Sequence, residues 1–143
     1  MLATYFLNTN EWVLPLFGCL HIAAFVCSIG TIRFLDLRLL GLDIAHRAPA
    51  ELLGATEVWA PIGLTVAIAS GLAIFSSDPV MYLHNVPFQL KMLALIVATV
   101  FHYTIHRRTI QRPPGRAASV AVALTSVSLW WSLILGSVFT ELH

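Results

Sequence analysis

Charge is what this sequence has least of. Its 143 residues include 8 Lys and Arg and 7 Asp and Glu, so 10% of the chain is charged, against about 25% in a water-soluble domain. That deficit excludes an ordinary hydrated surface and places most of the chain in lipid. Lysine occurs once, at Lys91, and no basic run is interleaved with aromatics, so nucleic acid is not an expected partner. Cysteine is scarce too. Cys19 and Cys27 fall in one apolar run, too far apart along a helix to bridge each other. Without a C-x-x-C pair, neither a zinc ribbon nor a thioredoxin-type redox site is available. A Gly-rich phosphate loop, G-x-S-x-G and H-E-x-x-H are all missing, which leaves nucleotide-dependent and hydrolytic chemistry without support. The N-terminal M-L-A-T-Y-F-L-N-T-N-E-W has no positive n-region, and no A-x-A site follows the first apolar run, so that run is expected to stay as a membrane anchor.

What the chain has instead is long uncharged stretches. Between Trp12 and Ile32 there is no Asp, Glu, Lys or Arg, only the imidazole of His21. A run of roughly 20 apolar residues, rising about 1.5 Å each, crosses a bilayer. Four such segments are expected, at about 11–41, 52–77, 87–108 and 117–140, joined by proline-bearing connections, the last containing Pro-Pro-Gly. Short connections make sequential helices antiparallel neighbours, so the expected fold is all-α, an integral membrane four-helix up-down bundle in one domain spanning 1–143. Arg33, Arg38, Arg47, Arg107, Arg108, Arg112 and Arg116 gather at one end and only Lys91 at the other. The positive-inside rule then puts both termini in the periplasm of a bacterial inner membrane, with Trp12 and Tyr82 at the outer interface. Gly63, Ala67 and Gly71 on the second helix, and Ser128, Ser132 and Gly136 on the fourth, form small-residue stripes. Such stripes let helix backbones approach closely, or make room for a flat cofactor.

An imidazole sunk in hydrocarbon must find a partner inside the protein. His21 on the first helix and His102 and His106 on the third are the informative set, the last two sharing a face at i and i+4. Counting rise from Trp12 and Pro87 places His21 about 15 Å and His102 about 22 Å deep, a mismatch of roughly 7 Å that a helix tilt of about 20° absorbs. Two imidazoles on facing helices are the protein's contribution to a b-type haem, which makes His21 and His102 candidate metal ligands. The competing reading is a structural hydrogen bond from His21 to a serine or carbonyl of a neighbouring helix, with His102 capping the inner end of the bundle. His106, beside Arg107 and Arg108, is expected at the interface. His84, in the outer loop, has no second ligand near it, and His46 and His143 are expected to be solvated.

Charge is concentrated once, at the inner end. Arg33 and Asp36 lie at i and i+3 and can pair, with Arg38 beyond them and Glu57 at the start of the second helix. A mutually neutralising cluster satisfies charges that lipid does not tolerate singly. Such a cluster fixes the helix ends. Alternatively Arg33 holds a haem propionate or an anionic headgroup, or Asp36 and Glu57 serve a proton path. Of Trp130 and Trp131, one ring is expected to face the bundle.

H-I-A-A-F-V-C-S-I-G-T-I-R-F-L-D-L-R-L-L-G-L, from His21 to Leu42, resembles the first helix of a family of small, functionally uncharacterised bacterial four-helix inner-membrane proteins with a mid-helix histidine and a D-L-R-L-L-G exit. The resemblance continues through Trp59, S-G-L-A-I-F, N-V-P-F-Q-L-K-M, I-H-R-R and the tryptophan-bearing last helix. It implies the same fold and matches His21 and His106, making His21 with His106 an alternative haem pair, whereas His102 has no counterpart. The family tends to carry an arginine after its late glycine, where Ser137 stands here. More distantly the plan is similar to the membrane part of copper-resistance D-type proteins and to small b-type cytochromes. Three functions are therefore expected as alternatives. The first is a haem b electron carrier using His21, His102 or His106, with Arg33, serving a quinone-linked redox partner. The second is a cofactor-free accessory subunit of a larger membrane complex. The third is a copper- or proton-handling protein using His21, Asp36 and Glu57.

Overall fold

The computed structural model describes residues 11–42, 49–112 and 114–141. Helix α1 runs Val13–Leu39, α2 Pro49–Phe75, α3 Pro79–His84, α4 Val86–Phe101, α5 Arg107–Gln111 and α6 Arg116–Glu141. A π-helical turn, His102–His106, joins α4 to α5, so that Val86–Gln111 forms one rod. No strand occurs among the described residues. Four helices, α1, α2, the α4–α5 rod and α6, are long and apolar enough to cross a membrane, and the protein is an all-α integral membrane bundle. Leu16, Ile22, Val26, Leu72, Leu90 and Ile96 all point outward. In water such a surface would aggregate; in lipid it is the solvated face.

Local sequence sets the helix ends. Gly41 adopts φ +84, its N–H donates to Arg38 O at 3.0 Å, and Leu42 N–H donates to Leu37 O at 3.0 Å. This left-handed cap stops α1 because glycine has no Cβ to resist it. The segment read as a plain outer loop contains α3. Asp78 caps it by accepting from Met81 N–H at 3.0 Å, with Pro79 at its first position. Asn85 caps α4 by accepting from Phe88 N–H at 2.9 Å. Helix α2 begins at Pro49, earlier than its apolar run, so Pro61 lies in its interior.

The most extensive helix pairings are α1 with α2, α4 with α6, and α1 with α6. Ile32, Ala60, Leu64, Ala98, Trp130 and Leu133 form the buried core, flanked by Phe25, Ile29 and Leu95. The two small-residue stripes part ways. A Cβ on Gly63 would lie 2.8 Å from Ala24 O and 3.0 Å from Ser28 Cβ, so this stripe is where α1 and α2 touch. Ser28 Oγ crosses the same seam to donate to Ala60 O at 2.9 Å. On α6 the packing positions are Ala123, Ser126, Trp130 and Leu133, while Ser128 and Ser132 face outward and donate to their own helix's carbonyls. Of the expected fourth-helix stripe only Gly136 meets a neighbour, a Cβ there lying 3.5 Å from Lys91 Cβ on α4. Bulk decides this, since Trp130 fills the seam that small residues would have left open.

Gly63→Ala is expected to cost about 1–3 kcal/mol by overpacking the α1–α2 seam. Gly18→Ala, where a Cβ meets nothing within 4 Å, should stay within about 0.5 kcal/mol of the parent. Thermal unfolding in one detergent compares them, and equal midpoints would contradict the close approach.

Candidate functional site

The polar residues of this bundle collect at its arginine-rich end. Asp36 lies one turn from the end of α1, on the stripe that also buries Ser28 and Ile32. Its side chain is 1% exposed, and Oδ1 lies 2.7 Å from Nε2 of His106, which is 0% exposed. Arg33, one turn before Asp36, places its guanidinium 3.1 Å from Oδ2 and donates to Ser126 O at 3.3 Å. With His106 donating through Nε2–H as a neutral ring, the group balances at one positive and one negative charge. That balance is what lets it sit between hydrocarbon-facing helices.

The π turn supplies the histidines. Arg107 N–H donates to His102 O, five residues back, in place of the usual four. Both rings turn inward, while Tyr103, Thr104 and Ile105 remain exposed. The ring centroids of His102 and His106 are 5.1 Å apart. Nδ1 of each has no hydrogen-bond partner among the described residues, and neither do Arg33 Nε, Ser126 Oγ or Trp130 Nε1. His102 also lines a cavity of about 270 Å³, with Leu35, Leu53, Thr56, Glu57, Tyr103 and Arg107 around it.

His106 was expected at the interface and is fully enclosed instead. Arg107 explains the difference, because its own side chain swings out to the half-exposed carboxylate of Glu57 and leaves the imidazole inside. Glu57 is thereby corrected as well. It belongs to that half-exposed ion pair with Arg107 and not to the Arg33–Asp36 group. The direct bond between Asp36 and His106 was not read from sequence. The signal for it was Asp36 falling in step with Ser28 and Ile32 on the buried face of α1.

His21 lies elsewhere. Its Nδ1 donates to Ala67 O at 2.7 Å and lies 3.3 Å from Ser70 Oγ. A Cβ at Gly71 would come within 3.0 Å of Cε1, and the ring stacks on Phe25 at 6.4 Å. This is the structural hydrogen bond to a neighbouring helix, clasping α1 to α2. Along α1, His21 is about 22 Å from the level of Asp36 and His106, and roughly 16 Å from that of His102. The sequence count gave half that offset because it set Trp12 and Pro87 at one depth; counted from the Asp36–His106 level, Pro87 lies roughly 7–8 Å deeper than Trp12, with α3 in the connection before it. Neither His102 nor His106 can share one iron with His21 across such a distance. The cavity beside His102, at about 270 Å³, is also too small to enclose a porphyrin. The residues present do not fit haem b.

His84 Nδ1 donates to Val80 O at 2.9 Å within α3, and no group of three or more His, Cys, Asp or Glu placed to hold a metal occurs among the described residues. Cys19 and Cys27 are free and exposed. Trp130 is the tryptophan that faces inward, and Trp131 faces out. His46, Arg47 and His143 lie outside the described residues. No protein-family model matches the chain, and no curated protein or solved structure matches it.

His106 donates a buried hydrogen bond to the Asp36 carboxylate, so His106→Ala should cost about 1.5–3 kcal/mol. Glu57→Gln, at the exposed ion pair, should cost under about 1 kcal/mol. Unfolding midpoints in detergent separate them, and a His106→Ala variant as stable as the parent would mean the pair is not closed in the membrane.

Proposed function

We propose that this chain is a small proton-handling protein of a bacterial inner membrane, with the His106–Asp36 pair as its proton site. The observation that carries the reading is a carboxylate and an imidazole 2.7 Å apart, both enclosed within membrane-spanning helices. The imidazole's second nitrogen, like Nδ1 of the neighbouring His102, has no hydrogen-bond partner among the described residues. Intramembrane ionisable groups that pair with one another mark proton and ion paths more often than surface pairs do. A proton arriving at His106 Nδ1 is matched by loss of the Nε2 proton to Asp36 Oδ1. The ring returns to neutrality in its other tautomer, and the carboxylate becomes a carboxylic acid. His102, lining the cavity near Glu57 and Arg107, is the entry group. Arg33 holds the emptied carboxylate in place and balances its charge. The D-L-R-L-L-G and I-H-R-R segments that carry the family resemblance are the two that meet here, through Asp36 and His106.

The same reading makes the arginine-rich end cytoplasmic and the α3 end periplasmic, in keeping with the arginine excess. The distance from His21 to His102 weighs against the haem carrier as the main reading.

Infrared difference spectra of the protein in lipid nanodiscs, between acidic and neutral buffer, test the proton site. A carboxylic-acid band that shifts in deuterated water and is missing from Asp36→Asn is expected. If the variant's difference spectrum equals the parent's, Asp36 does not exchange protons and the proposal falls.

Single cysteines at Gln111 and at His84, in a background lacking Cys19 and Cys27, test the orientation. The His84 position should react with an impermeant maleimide from outside intact cells and the Gln111 position only after lysis. The reverse pattern would turn the protein over.

A further inference from the structure

We propose that the cavity between α1, α2 and the π turn binds the ring of a membrane quinone, with His102 hydrogen-bonded to one of its carbonyl oxygens. This deepens the proton-site reading, since it names what sits beside that site. His102 is 6% exposed, lines the cavity and has an Nδ1 without a hydrogen-bond partner among the described residues. A buried polar nitrogen left so costs about 1–3 kcal/mol, a cost that a ligand oxygen removes.

The walls limit what that ligand is. Leu35 and Leu53 give the cavity two apolar faces, while Thr56, Tyr103 and the Glu57–Arg107 pair give it polar ones. Glu57 and Arg107 neutralise each other, so the lining offers hydrogen bonds without net charge. That selects a neutral molecule. At about 270 Å³ the space suits one substituted ring with a polar group at each edge. The cavity lies among membrane-spanning helices, so the ligand arrives from the bilayer and must be lipid-soluble. A quinone combines these properties: a neutral flat ring, carbonyl acceptors at opposite edges, and an apolar tail. His102 meets one carbonyl, and Tyr103 lines the same cavity.

The test is equilibrium partition of decylubiquinone between nanodiscs carrying the quinone-depleted protein and empty nanodiscs. A saturable excess in the loaded discs is expected. His102→Leu removes the hydrogen bond and should weaken binding by about tenfold or more. Leu53→Trp fills the cavity and should weaken it at least as much, whereas Ile96→Ala, on the lipid face, should bind like the parent. No saturable excess, or equal binding by parent and Leu53→Trp, would overturn the proposal. Loss with Leu53→Trp but not with His102→Leu would overturn the hydrogen bond assigned to His102. The Asp36 infrared band is recorded without quinone. An intact band with no quinone binding therefore removes this inference alone, and a missing band with quinone bound removes the proton site alone.

Discussion

A carboxylate placed among lipid-facing helices has to be answered by groups the protein brings to it. Asp36 is answered twice, by His106 at 2.7 Å and by Arg33 at 3.1 Å, and much of the arginine-rich end is arranged to make that possible. Helix α1 must continue to Leu39 so that Asp36 is still helical and inward. The third helix must be turned so that His106, and not Arg107, faces α1. Arg107 must have Glu57 to go to. Each of these conditions is met by a residue whose identity would be odd in an ordinary apolar span.

The far half of the bundle solves a milder version of the same problem with neutral groups. His21 reaches Ala67 O beside Ser70, and Ser28 reaches Ala60 O, so α1 is fastened to α2 at two depths without any charge. Gly63 and Gly71 permit this by letting the helices come within reach of such short side chains. A histidine in hydrocarbon thus has two uses in one chain. At His21 it is a clasp, with its donor committed to a carbonyl. At His106 it joins an acid on one side and keeps a nitrogen free on the other.

The spans were legible in the sequence because lipid enforces long uncharged runs, and no tertiary contact can override that. The Arg33–Asp36 pair was legible because i and i+3 are neighbours on any helix. The depth of the third helix was not, since it depends on α3. The Asp78-Pro79 pair that starts α3 reads in sequence equally well as turn chemistry. His106 was misplaced for a related reason. Two arginines after it marked an interface, yet a long side chain carries its charge well away from its own backbone position. The pairing of Asp36 with His106 lies across 70 residues, and no local pattern encodes a partner at that separation.

The π turn carries one residue more than the α-helical bonds around it need. Wound as an uninterrupted α-helix, the same residues would leave the following segment rotated by roughly 100° and advanced by about 1.5 Å. The bearing of α5 around its own axis is therefore fixed by a residue count inside the rod, independently of the connection that follows. A single inserted residue is a small genetic step, and here it is enough to decide which way an entire helix end looks.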